Sequence, residues 1–101
     1  MAIEMQEQSG RFGPILVCDE CGERIATVSD GIVMWFAPSP SERIKCYHLH
    51  RRKCQFLAEQ KLRGTQVTMT AELDVHLFFL LHNTHYDAKK AQESAELVEQ
   101  F

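Results

Sequence analysis

All four cysteines of the chain lie between positions 18 and 54, and this clustering constrains the fold more than any other feature of the sequence. The first two form a Cys-x-x-Cys motif followed by glycine, and the other two enclose a pair of histidines. A segment this short buries little apolar surface and profits from a staple that holds it together. The potential ligands for such a staple are Cys18, Cys21, Cys46, His48, His50 and Cys54.

The spacing of these residues predicts a single zinc site. Zinc binds four thiolate or imidazole donors in a tetrahedron, and a Cys-x-x-Cys turn supplies two of them from one local element. His50 is favoured for the fourth position because it lies nearest the expected junction of a strand and a helix, with His48 and Cys46 as alternatives. We therefore predict one structural zinc ion bound by Cys18, Cys21, His50 and Cys54.

The two alternative ligands also have ordinary structural interpretations. If Cys46 does not bind the metal, it is expected to be a small buried apolar residue. If His48 does not bind it, this histidine is expected to lie on the surface or to support a ligand from the outer shell.

The hydrophobic pattern predicts an α+β protein in three parts. Residues 1–13 mix Glu, Gln, Ser and Gly with little periodicity, so a flexible leader is expected there. Residues 14–64 are expected to form a small zinc-stabilised module made of a knuckle, a β-hairpin and a helix. Residues 65–101 are expected to form a C-terminal helical pair, packed on that module or on a partner.

The β-hairpin of the module is predicted from two runs of residues. The first, 32–36, is rich in β-branched and aromatic side chains, and the second, 44–50, alternates as a strand does. The pattern then becomes helical over about 51–63, with Gly64 as the residue that ends the helix. A return strand is also expected over 24–28, directly after the knuckle.

Two helices are predicted in the C-terminal extension. The first covers 71–83 with Thr70 as its N-cap, and the second covers about 87–101 with Asp87 as its cap. The first is apolar on so much of its circumference that it must be buried within the monomer or against something else. We therefore expect a protein partner or self-association through helix 71–83.

The order of knuckle, hairpin and helix resembles the treble-clef zinc folds and the broader zinc-ribbon class over about residues 14–63. The resemblance rests on Cys18-x-x-Cys21-Gly22 and on the junction that carries His50 and Cys54. One feature departs from the pattern: treble clefs typically separate the second ligand pair by two residues, whereas three residues separate His50 from Cys54. The resemblance implies a zinc-stapled scaffold, and it implies no particular activity.

Basic residues concentrate on and around the predicted helix 51–63, although the chain carries a formal net charge of −3. Such a patch is the electrostatic footprint of phosphate binding, so a nucleic-acid-binding zinc regulator is the alternative function. The acidic balance of the whole chain favours a simpler role in keeping the helix solvated or in pairing with an acidic helix. The residues that would contact phosphates are Arg51, Arg52, Lys53, Lys61 and Arg63.

Several other functions are disfavoured by the same residues. A redox role for Cys18-x-x-Cys21 would need a helix N-terminus after a strand, whereas a turn into a strand is predicted after Cys21. No acid and base occur at a spacing that suggests an enzyme. His76, His82 and His85 are interpreted as histidines on a helix face or at a cap rather than as a second metal site.

The sequence also favours a cytosolic protein. Its longest apolar run, residues 75–81, is much shorter than the about 20 residues that a membrane-spanning helix needs. The N-terminal residues are polar and acidic, unlike a signal peptide. In the cytosol thiols stay reduced, and a cysteine cluster there is expected to bind metal rather than to form disulfides.

Overall fold

A computed structural model describes residues 2–36, 45–61, 68–98 and 100–101 of the chain. The fold is α+β, which confirms the predicted class. The described strands form two separate antiparallel sheets, a two-stranded one with order β1-β2 and a three-stranded one with order β4-β3-β5. The elements are β1 (Ile3–Gln8), β2 (Arg11–Leu16), a 3₁₀ turn (Val28–Asp30), β3 (Gly31–Phe36), β4 (Cys46–His50), α1 (Lys53–Lys61), β5 (Thr68–Glu72), α2 (Leu73–Asn83) and α3 (Ala88–Ala95).

The N-terminal residues form a β-hairpin, so the prediction of a flexible leader over residues 1–13 is wrong. Strand β1 pairs with β2 along its whole length, from Ile3 opposite Leu16 to Gln8 opposite Arg11. The two residues between the strands, Ser9 and Gly10, have φ values of 53° and 79°. Positive φ at both central residues is the turn geometry that suits the twist of a two-residue hairpin. The Ser9-Gly10 pair is the feature of the sequence that indicates this turn.

The end of the chain returns to this hairpin. Phe12 and Gln100 form an isolated parallel bridge. A Cβ atom on Gly13 would lie 2.5 Å from the backbone oxygen of Phe101 and 3.0 Å from two of its ring carbons. The missing side chain at position 13 therefore leaves room for the Phe101 ring against β2.

The predicted hairpin of the module is present as strands β3 and β4. Their register runs from Gly31 opposite His50 to Trp35 opposite Cys46. The loop that joins them, residues 37–44, lies outside the described residues. Of the expected return strand over 24–28, one bridge between Val17 and Arg24 is present, and a 3₁₀ turn begins at Val28.

The start of the extension is a strand rather than a helix N-terminus. Strand β5 pairs with β3, with Glu72 opposite Ile32 and Thr68 opposite Phe36. Thr70, the predicted N-cap, lies within this strand. Helix α2 instead begins at Leu73 after Glu72, which makes no capping hydrogen bond with its side chain. Pairing with β3 satisfies the backbone there, and this outweighs the local capping signal.

The core lies on both faces of the three-stranded sheet. Val33 and Met34 are fully buried on the central strand, and successive residues of a strand point to opposite faces. Helix α1 packs against β4 on the face of Tyr47 and Leu49, where Ala58 joins the core. Helix α2 lies on the opposite face, where its first residue, Leu73, is buried against β3.

The other predicted helices are present with shorter bounds. Helix α1 covers Lys53–Lys61 within the predicted span 51–63, and Gly64, its predicted end, lies outside the described residues. Helix α3 ends at Ala95 instead of continuing to 101. The predicted cap of α3 is confirmed, because the carboxylate of Asp87 accepts a hydrogen bond from the backbone N–H of Lys90 at 3.1 Å. Within the described ranges no helix has the length and apolar character needed to cross a membrane.

Candidate metal centre

Residues 18–23 form a knuckle that turns both of its cysteine sulfurs toward one point. The backbone N–H of Glu20 lies 3.4 Å from the Sγ atom of Cys18, and the N–H of Glu23 lies 3.4 Å from the Sγ atom of Cys21. Gly22 has a φ of +76° and donates its N–H to the carbonyl of Cys18 at 2.9 Å. Positive φ at this position is readily adopted only by glycine, so the glycine after the second cysteine closes the turn.

The second pair of donors comes from the junction between β4 and α1. Strand β4 ends at His50 and α1 begins at Lys53. Between them Arg52 adopts a φ of +68°, which reverses the chain within two residues. This sharp turn puts Cys54 in the first turn of the helix, where it is buried beside the end of β4.

The structure brings together the four residues that the sequence predicts as ligands, namely Cys18, Cys21, His50 and Cys54. One potential donor atom from each lies within 4.8 Å of those of the other three. The Nδ1 atom of His50 is 3.4 Å from the Sγ atom of Cys21 and 3.8 Å from that of Cys54. Separations of this size suit four donors around one ion with tetrahedral bonds of about 2.0–2.3 Å.

A hydrogen bond to the backbone determines which nitrogen of His50 is available. Its Nε2 atom lies 3.0 Å from the carbonyl oxygen of Arg24. A carbonyl only accepts, so Nε2 carries the proton and donates, and Nδ1 keeps its lone pair toward the cysteines. Histidines that bind metals are commonly oriented by such a bond from their other nitrogen.

The protonation of the buried cysteines also fits a cation. Burial opposes ionisation of Cys18, yet hydrogen bonds with the backbone of Cys21, His50 and Glu20 lower the pKa of its thiol to about 7. Burial, together with the neighbouring Cys18 and Cys21, raises the pKa of the Cys54 thiol to about 12. Three thiolates this close repel one another unless a positive ion compensates their charge. The donor set therefore fits a thiophilic divalent ion such as zinc.

The alternative ligands His48 and Cys46 lie outside this group. The backbone of His48 forms two hydrogen bonds with Asp19. The N–H of Asp19 donates to the His48 carbonyl at 2.8 Å, and the N–H of His48 donates to the Asp19 carboxylate at 2.7 Å. Burial lowers the pKa of the His48 imidazole, and the neighbouring His76 adds to this effect. Cys46 is exposed, contrary to the buried position expected for it if it is not a ligand.

A second group of potential donors was missed at the level of sequence. Cys46 and His48 on β4 lie with His76 on α2, and one donor atom of each is within 4.8 Å of the other two. The sequence suggested comparing His76 with His82 and His85, which follow it along the chain. Only the docking of α2 on the sheet shows that its neighbour is His48, with ring centroids 5.4 Å apart.

The basic residues proposed for phosphate binding are partly occupied by contacts within the chain. Arg51 forms an ion pair with Glu72 and donates to the carbonyl of Ser29 at 2.7 Å. Lys61 pairs with Glu20 at 2.6 Å. Arg52 and Lys53 are exposed, and Arg63 lies outside the described residues. Two cations of this patch therefore already neutralise acidic residues of the chain. Binding of nucleic acid through the patch stays a prediction.

Helix α2 exposes large apolar side chains along most of its length. The exposed fraction reaches 64% at Phe78 and 54% at Phe79, although Leu73 at the start of the helix is buried. The other exposed apolar residues of the helix are Val75, Leu80 and Leu81.

Comparisons of this chain with protein-family models, with curated proteins and with solved structures found no match.

Proposed function

We propose that this chain is a small zinc-binding adaptor, in which one structural zinc ion bound by Cys18, Cys21, His50 and Cys54 holds a scaffold for protein binding. The observation that carries the zinc assignment is the convergence of three sulfurs and one oriented imidazole nitrogen within 4.8 Å. Zinc is preferred over magnesium or calcium because sulfur and nitrogen donors suit a borderline cation, whereas those ions prefer oxygen.

The zinc is proposed to be structural because the site offers four protein donors. Catalytic zinc sites usually keep one position open for water or substrate, whereas four protein ligands complete a tetrahedron. The ion would tie the knuckle to the start of α1 and the end of β4, in addition to the hydrogen bonds between Asp19 and His48. Its chemistry in this position is to neutralise the thiolates and to crosslink the chain.

Metal analysis tests this assignment directly. The chain is purified under reducing conditions, passed over a sizing column with a weak chelator, and analysed for zinc by mass spectrometry. We expect one zinc ion per chain to survive this treatment, and cobalt in its place to show the intense visible bands of a tetrahedral thiolate site. A chain that folds fully without any metal would overturn the proposal.

The surface that the scaffold presents is proposed to be the exposed apolar face of α2. Residues 75–81 contain no Asp, Glu, Lys or Arg, so about two turns of the helix carry none of these charged side chains. Its aromatic side chains at Phe78 and Phe79 are more than half exposed. Exposed apolar patches with few charges are typical of protein-binding sites.

We propose a second copy of this chain as the occupant. Phe78 lies at the middle of α2, which covers Leu73–Asn83. In an antiparallel pair of these helices centred on Phe78, the Asp74 carboxylate of one copy is level with the His82 imidazole of the other. The face is therefore complementary to itself, with apolar side chains in the centre and a polar pair at each end. Such two-fold contacts are the commonest form of homodimer.

The expected dimer is a weak one. A helix of this length spans about 16 Å and covers less than the about 800 Å² per partner of a standard interface. We therefore expect the dimer to form at high micromolar concentration and to dissociate on dilution in sedimentation velocity. Phe78→Glu should abolish dimerisation without loss of zinc, because it removes the central contact.

Phe56→Glu is the matched control for this test, since Phe56 is 58% exposed on α1 and lies away from the proposed interface. It should dimerise as the unmodified chain does. A zinc-loaded chain that stays monomeric at high micromolar concentration would overturn self-association and would leave a different protein as the occupant of α2. That result would not bear on the zinc assignment, which the metal analysis tests separately.

A further inference from the structure

We propose that Cys46, His48 and His76 form a second, weaker metal site that binds a zinc-like divalent cation with one coordination position open. It is separate in its residues from the four-donor site and was not suggested by the spacing of residues along the chain. The proposal rests on the convergence of one sulfur and two imidazoles, whose donor atoms all lie within 4.8 Å of one another.

Two of these donors are placed by the regular alternation of a strand. Cys46 and His48 are two residues apart on β4, so their side chains leave the same face of the sheet. The third donor reaches this face from α2, where His76 is partly buried. The rings of His48 and His76 meet edge to face at a centroid distance of 5.4 Å. Two elements far apart in sequence thus direct their histidines at one place.

The His48 side chain also carries an unpaired buried atom. Its Nδ1 atom is buried, and it has no hydrogen-bond partner among the described residues. The Asp19 carboxylate oxygen is 3.9 Å away from Nδ1, beyond hydrogen-bonding distance, and it already accepts the N–H of His48. Leaving a buried imidazole nitrogen unpaired is costly. A cation bound at Nδ1 would remove this cost.

The donor types indicate the class of ion. One thiolate and two neutral imidazoles suit zinc and its neighbours among the late first-row metals, and do not suit magnesium or calcium. Three protein donors leave one tetrahedral position for water or for a ligand from solution. Cys46 is exposed, so the site is open to solvent and exchange of the ion is expected to be fast.

The second site is expected to fill after the first. Asp19 follows the ligand Cys18 in the knuckle and holds the backbone of His48 through two hydrogen bonds. A metal ion in the four-donor site fixes the knuckle and thereby this part of β4. The weaker site is then assembled on a strand that the first ion has already ordered.

The proposal is tested by anaerobic titration of the whole metal-free chain, with zinc binding monitored by calorimetry and cobalt binding monitored by visible absorption. We expect two equivalents, the second bound more weakly than the first. His76→Asn and Cys46→Ser should each weaken the second equivalent by more than about 100-fold, because losing a ligand costs at least as much as losing an outer-shell partner. Both variants should keep the first equivalent, since neither residue belongs to the four-donor group.

His85→Asn is the matched control, because this exposed histidine lies outside both groups and asparagine tolerates its positive φ of 55°. It should bind both equivalents as the unmodified chain does. A chain that takes up only one equivalent, or a second equivalent that survives His76→Asn unchanged, would overturn the second site.

Discussion

Asp19 and His48 join the metal knuckle to the edge of the central sheet through two reciprocal hydrogen bonds. The N–H of Asp19 donates to the His48 carbonyl at 2.8 Å, and the N–H of His48 donates to the Asp19 carboxylate at 2.7 Å. Strand β4 is an edge strand of its sheet, so these groups would otherwise be unpaired. The knuckle therefore covers the open edge of β4 while it contributes two potential donors, Cys18 and Cys21, to the candidate metal centre.

We predict that Asp19→Ala destabilises the zinc-loaded protein by about 1 kcal/mol, because it leaves the His48 N–H without its acceptor. Asp19→Asn keeps an acceptor oxygen at the same place and should lose less than half as much. Urea unfolding of the two variants, with zinc content measured in parallel, checks this. Equal stability of Asp19→Ala and the unmodified chain would show that the side-chain bond contributes nothing.

Cys54→Ser is predicted to unfold the module over residues 14–63. Structural zinc contributes about 10–16 kcal/mol of apparent binding free energy, and in a small scaffold this is also folding free energy. The measurements are zinc per chain and the melting curve followed by circular dichroism. His85→Asn is the control, because His85 lies outside both donor groups and asparagine tolerates its positive φ of 55°. A Cys54→Ser protein that retains one zinc and melts normally would refute the assignment of this ligand.

His50→Cys is predicted to retain one tightly bound ion, whereas His50→Ala should lose most of its affinity. A thiolate can replace imidazole in a tetrahedral site, but a methyl group leaves only three donors. The cobalt-loaded His50→Cys variant should show stronger sulfur-to-metal absorption, since it has one thiolate more. If His50→Ala bound cobalt as tightly as the unmodified chain, another residue would have to be the fourth ligand.

Gly22→Ala is predicted to destabilise the zinc-loaded protein by about 1–2 kcal/mol. The cost comes from the backbone, since φ is +76° there and an added Cβ meets nothing within 4 Å. Gly22→Asn should cost less, because asparagine visits the left-handed region more readily than alanine. Chemical denaturation of both variants at saturating zinc separates this conformational cost from a steric one. Identical losses for alanine and asparagine would argue against it.

The local parts of the metal centre could be predicted because they depend on residues that are close in the chain. Cys18, Cys21 and Gly22 form one turn, whose geometry follows from the spacing and from the φ that glycine allows. His50 and Cys54 lie across a single strand–helix junction, so their proximity is also local. The α+β class and the pairing of β3 with β4 followed from periodicity in the same way.

The long-range parts of the structure required the tertiary fold. His48 and His50 point to the same face of β4 in the sequence pattern, and only the placement of the knuckle beside β4 directs His50 to the cysteines. The strand character of Thr68–Glu72 came from pairing with β3, against the capping signal of Thr70. Strand pairing of this kind depends on which edge is available, and no local pattern encodes that.

The sequence was enough to predict the two halves of the four-donor group, Cys18 with Cys21 and His50 with Cys54, and the apolar helix, because each of these is a property of residues close together in the chain. The tertiary structure decided that His76 meets Cys46 and His48, because α2 crosses the face of the sheet from which they project. It also brought the last residues of the chain to the N-terminal hairpin, where Gln100 forms a bridge with Phe12. Contacts between distant segments are set by register and docking, which are properties of the assembled chain.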